Sequence, residues 1–154
     1  MGFLKYFHLL IIGVWIGGIV FFSFVLTPTL FKQLSKEVTS KVLEVIFPKY
    51  YLVGMVCSVT AVVTSFFNGF RFQLSTLLLL LMLGMTFYAG LSLYPKAHKL
   101  KVEMKSFASE EEVPAPVRAQ FKQSHRLAVL LNMAVFLFGL LYLWFLSNQN
   151  APKF

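Results

Sequence analysis

The chain is 154 residues long, 58% hydrophobic and 13% charged, with a mean hydropathy of +0.74 and a formal net charge of +8. Soluble domains run at ~45–50% apolar and ~25% charged residues, so a water-soluble fold, a disordered chain and a collagen-like chain are all excluded. The single cysteine, Cys57, excludes an internal disulfide and a cysteine-cluster metal site, and the positive charge sits between long apolar runs rather than on a nucleic-acid-binding face.

A bilayer core takes ~20 apolar helical residues to cross. Four segments meet that need, residues 7–26, 50–67, 74–94 and 127–146, and none contains Asp, Glu, Lys or Arg. Helices satisfy their own backbone groups in hydrocarbon, and the ten-residue alternation of a barrel strand is missing. The expectation is an all-α membrane protein, one four-transmembrane-helix bundle over residues 1–154. The first segment follows a single lysine, is too long for a signal peptide's apolar core, and lacks a small-residue cleavage site, so it reads as a retained span.

Four spans put both termini on one side. That side carries Lys5, Arg71 and Lys153, against eleven Lys and Arg residues in the first and third loops. The bias places both large loops in the cytoplasm, with the termini and the tight turn at residues 68–72 outside, in a plasma membrane of bacterial inner-membrane type. Leu34, Val38, Val42 and Val45 recur at helical spacing among charged residues, which predicts a short amphipathic interfacial helix in the first loop. Pro114 and Pro116 follow the Glu110–Glu112 run; they break any extension of the third span, and Pro116 suits the first turn of a helix leading into the fourth.

Gly13, Gly17 and Gly18 form a smooth strip on the first helix, and Gly54 and Ser58 repeat the small-xxx-small spacing on the second. Such strips let helix backbones approach closely, either within the bundle or against another chain. His8 and Trp15 share a face of helix one, as do His125, Asn132 and Gly139 on helix four, because seven residues make two turns. Polar groups in lipid turn toward protein or water, so His8, Trp15, Asn132 and Thr27 are expected to point inward. His125 is expected at the loop-side mouth near His98.

Histidine is the usual axial ligand for haem in helical bundles. His8 and His125 sit near opposite membrane faces, however, separated by about two-thirds of the ~30 Å core, so they cannot clamp one iron. No charged residue lies within a span to serve a proton relay or cation pathway, no aspartate is present for a Ser-His-Asp set, and no phosphate-binding glycine loop or zinc motif occurs.

Several segments carry a resemblance. HLLIIGVWIGGIVFFSFV, FPKYY (residues 47–51), YPKAHK (residues 94–99) and FKQSHRLAVLLN (residues 121–132) together resemble the transmembrane protein 205-like family, which implies a small four-span integral membrane protein. The opening His8-x6-Trp15-x-Gly17-Gly18 also resembles the first helix of copper-resistance D-type and HemJ-type membrane proteins, which implies His8 as a candidate ligand of haem b or copper. The expectation for function is a non-catalytic accessory, interaction or structural subunit, with no cofactor. Its partners would be other membrane subunits or itself, together with anionic lipid headgroups and no nucleic acid. A haem- or copper-binding redox protein using His8 is the alternative. A transporter of small hydrophobic compounds at an oligomer interface is the third reading.

Overall fold

The computed structural model describes residues 2–67, 74–107, 109 and 111–149. Four helical rods are long and apolar enough to cross a membrane: Phe3–Gln33, Lys36–Phe67, Leu74–Lys105 and Ala115–Asn148. No strand occurs among the described residues. Large apolar side chains such as Phe3, Leu10, Phe21, Leu81, Leu141 and Trp144 lie exposed on the rods, as a lipid-facing surface requires. The chain is a multi-pass helical membrane protein. The expected turn at residues 68–72, with Arg71, and Lys153 fall outside the described residues.

The rods are not uniform helices. The first comprises α1 (Phe3–Val20), a π-helical stretch (Phe21–Leu26) and α2 (Thr27–Gln33). The second is α3 (Lys36–Phe67), the third is α4 (Leu74–Tyr88), a second π-helical stretch (Ala89–Leu93) and α5 (Tyr94–Lys105), and the fourth is α6 (Ala115–Gln149). Both π stretches stand just before a proline, Pro28 or Pro95. Proline lacks an N–H and its ring meets the carbonyl four residues back. Those carbonyls belong to Phe24 and Leu91, inside the two π stretches, where the wider turn makes room.

The amphipathic segment around Val38–Val45 is helical, as its spacing predicts, but it is not a separate interfacial helix. It forms the first turns of α3, which runs unbroken through Pro48 into the second span. Pro48 cannot bond the Glu44 carbonyl, and the Tyr94 hydroxyl donates to that oxygen instead, at 3.4 Å. Leu34 and Ser35 separate α2 from α3, and Thr39 ties the turn by donating to the Leu30 carbonyl at 3.1 Å. At the other loop, α5 ends at Lys105 and α6 starts at Ala115 with Pro116 in its first turn, as the proline pair predicts.

Ile12, Trp15, Ile16 and Ile19 of α1 form one buried cluster with Cys57 and Ala61 of α3, Leu79 and Met82 of α4, and Val135 and Tyr142 of α6. α1 packs against both α3 and α6, whereas α2 leans on α3. Beyond the first π stretch, the first and fourth rods therefore part.

The small residues divide by role. A Cβ added at Gly139 would lie 2.8 Å from two side-chain atoms of Ile16, so α6 meets α1 there. Gly54 faces Thr86 and Trp15, Gly90 faces Tyr51, and Ser58 is fully buried. Gly13, Gly17 and Gly18 have open space where a Cβ would stand. Their strip faces away from the bundle, because Ile12, Trp15, Ile16 and Ile19 turn the opposite face of α1 inward.

Candidate functional site

The parting of the rods leaves a cavity of about 560 Å³ in the loop-side half of the bundle. That is the size of a small-molecule site, for which ~300–1,000 Å³ is usual. α6 lines it from Phe121 to Met133, a stretch about 18 Å long at 1.5 Å per residue. Phe24 and Phe31 on one rim, and Val129 and Met133 on the other, are exposed, so the cavity opens sideways between the first and fourth rods.

Three sequence segments converge on this space. FPKYY supplies Phe47, Tyr50 and Tyr51, YPKAHK supplies Tyr94, Ala97 and His98, and FKQSHRLAVLLN supplies Phe121, His125, Ala128 and Asn132. The first rod adds Phe22, Ser23 and Thr27 from the π stretch and its edge. The aromatic rings form a connected wall. Phe22 stacks on Tyr50 with centroids 4.2 Å apart and lies 5.3 Å from Phe47, while Tyr51 contacts Tyr94 at 5.7 Å and Tyr94 stacks on His98 at 6.0 Å.

Polar groups occupy the two ends. At the deep end the Tyr50 hydroxyl donates to Asn132 Oδ1, and Asn132 Nδ2 donates to Ser23 Oγ at 3.0 Å, joining the first, second and fourth rods. One turn nearer the loops, Thr27 Oγ1 is buried without a hydrogen-bond partner. At the loop end Lys36, Glu44, His98, Lys101 and His125 line the mouth, and the Glu44 carboxylate accepts from Lys105 at 2.9 Å and lies 3.0 Å from Lys101. His98 and His125 both border this cavity, and both are exposed rather than buried.

The hydrogen bond from Lys105, with that from Lys101 next, pulls the Glu44 carboxyl down from its ordinary 4.5 to about 2. A carboxyl depressed in the folded state stabilises the fold fully above its unfolded value and loses that contribution as the pH falls through the folded one. The melting temperature in non-ionic detergent is therefore expected to drop between about pH 4.5 and pH 2, and Glu44→Gln should flatten that part of the profile. An equal acid drop in the variant would remove Glu44 as its source.

His8 is not part of this cavity. It is 5% exposed, and its Nδ1 and Nε2 lie 2.7 Å from Thr64 Oγ1 and the Tyr142 hydroxyl. Thr64 donates its own hydrogen to the Thr60 carbonyl at 2.8 Å, so it accepts from His8 Nδ1–H, and Nε2 accepts from Tyr142. A metal at Nε2 would have to displace that hydroxyl. Among the described residues no three His, Cys, Asp or Glu side chains gather as a metal site. Trp15 is buried, 3% exposed, beside Gly54.

The cavity was not legible in the sequence. Its signal lies in the three polar-aromatic segments, but helical spacing alone discloses neither the parting of the first and fourth rods nor the π stretches beside it.

Comparison with curated proteins gave no match, and comparison with solved structures gave none. One family matched, over residues 10–106, a stretch that holds the first rod from Leu10 on, the second and third rods and most of the cavity wall outside α6. That stretch is more than half of the chain, and the protein belongs to the family described as a domain of unknown function (DUF4149).

Proposed function

We propose that this protein is a binding protein of the membrane, which takes a lipophilic molecule from the bilayer through the lateral gap and holds it against the aromatic wall. The observation that carries this is the convergence of four chain segments on one sideways-opening cavity of about 560 Å³. Binding suits the lining better than catalysis does. Among the described residues it contains no cysteine or aspartate, and its one carboxylate, Glu44, is engaged by two lysines. The excess of basic residues in the two large loops favours a cytoplasmic mouth.

Filling the space tests this. Ala97→Trp and Ala128→Trp place a ring inside the cavity without touching the buried apolar cluster. Each should weaken binding of the neutral dye Nile red about tenfold or more while leaving thermal unfolding nearly unchanged. Unchanged dye affinity in both variants would remove the cavity as the binding site.

A second reading, an accessory subunit that packs on another membrane chain or on itself, is favoured by the open strip at Gly13, Gly17 and Gly18. The two readings are compatible, since the strip and the lateral gap involve different parts of the first rod. A haem or copper role for His8 has less support, because both ring nitrogens are already hydrogen-bonded.

A further inference from the structure

We infer that the cavity's ligand is an amphiphile with one apolar tail and an anionic, oxygen-rich head, seated with the head at the loop-side mouth; this rests on the binding reading above and names its ligand class. The first ground is charge. Lys36, Lys101 and Glu44 line the mouth and Lys105 pairs with Glu44, three positive groups against one negative, or +2 with the histidines neutral, and the adjacent Lys41–Glu37 pair adds no net charge. The two lysines that hold Glu44 satisfy it, so no carboxylate is left there to attract a cationic head.

The second ground is hydrogen-bond capacity. Asn132 uses its oxygen and one amide hydrogen within the network, while its second amide hydrogen and the Ser23 hydroxyl hydrogen remain for a ligand. Thr27 adds a buried hydroxyl with no partner. A ligand with acceptor oxygens, such as ester or hydroxyl oxygens below a charged head, answers these donors. A bare hydrocarbon would leave them unsatisfied at a cost.

The third ground is the route. Phe24 and Phe31 face Val129 and Met133 across the lateral gap. An apolar tail can slide in from the bilayer there without its head leaving the level of the lysines. The axial order of the lining, basic at the loop end and aromatic along its depth, is the order of groups in such a molecule.

The test compares two probes with the same acyl chain, lysophosphatidylglycerol and lysophosphatidylcholine, titrated into the protein held in phosphatidylcholine bilayer discs. The anionic probe should bind more tightly. A lysine near an anionic headgroup is worth about 1 kcal/mol, so Lys36→Gln with Lys101→Gln should reduce the affinity for lysophosphatidylglycerol about thirtyfold. Affinity for the zwitterionic probe, whose choline offsets its phosphate, should fall by a clearly smaller factor. Glu44→Gln releases both of its lysines and should raise affinity for the anionic probe, a gain that a folding defect cannot mimic. Equal affinity for both probes in the native protein would overturn the charge assignment and leave the binding reading standing. Failure of both to bind would overturn both. An anionic preference that survives Ala128→Trp would place the charge effect on the loop surface and overturn the seated ligand.

Discussion

Gly139→Leu is expected to destabilise the protein by about 1–3 kcal/mol, the range for forcing extra carbons into a packed interior, and Gly139→Ala by less. Even the first added carbon would lie 2.8 Å from Ile16 Cδ1 and Cγ1 and 3.3 Å from Met82 Cε. Ile16 is 6% exposed and Met82 is fully buried, so neither has free space to retreat into. The clash falls where α6, α1 and α4 meet in the buried cluster. The matched control is Gly13→Leu, where an added side chain meets open space. Thermal unfolding in non-ionic detergent should show a clear loss for Gly139→Leu and almost none for Gly13→Leu. A loss of higher-order assembly in Gly13→Leu, with the melting of the single chain unchanged, would assign the outer strip to contact with another chain. Equal destabilisation by the two substitutions would contradict the packing described for α1.

That contrast bears on how far the sequence discloses this fold. The four spans are legible because hydrocarbon demands long uncharged helices, and that demand acts on composition directly. The G-x-x-x-G spacing of Gly13 and Gly17 is equally visible, but spacing says that a smooth strip exists and not which neighbour it meets. Gly139 belongs to no such motif, yet it takes the closest approach among the described glycines, because Ile16 happens to lie opposite. The extension of α3 through Pro48 is hidden for a related reason. A proline reads as a break, and only the tertiary contact from Tyr94 shows how the freed Glu44 carbonyl is engaged. The candidate site is the least legible part. FPKYY, YPKAHK and the His125-to-Asn132 segment stand out by composition, but they lie on three different rods. Their convergence is a tertiary fact, and two of the rods also carry a π-helical stretch beside the cavity, which helical spacing does not disclose.

His8→Leu is expected to cost about 1–3 kcal/mol, since it removes two buried hydrogen bonds that in membrane proteins are worth roughly 0.6 each on average and up to ~1.7. His8 stands near the start of α1, Thr64 near the end of α3 and Tyr142 near the end of α6, so one imidazole joins three rods at the terminal end of the bundle. The Ser23–Asn132–Tyr50 network joins the same three rods at the loop side. The apolar cluster of Ile12, Ile16, Cys57, Ala61 and Val135 lies between these two polar ties. Packing in lipid has no hydrophobic force between helices, so such ties fix which faces meet and in what register. His8→Gln separates this role from ligation. Glutamine carries both a donor and an acceptor and should recover part of the stability lost in His8→Leu, whereas an amide is a poor substitute for imidazole on haem iron or copper. A stability loss in His8→Leu that glutamine partly restores, with the optical spectrum of the purified protein unaltered, is the result the geometry predicts. A Soret band or bound copper that disappears in His8→Gln would instead make His8 a ligand, and the bonds to Thr64 and Tyr142 would then describe the protein without its cofactor.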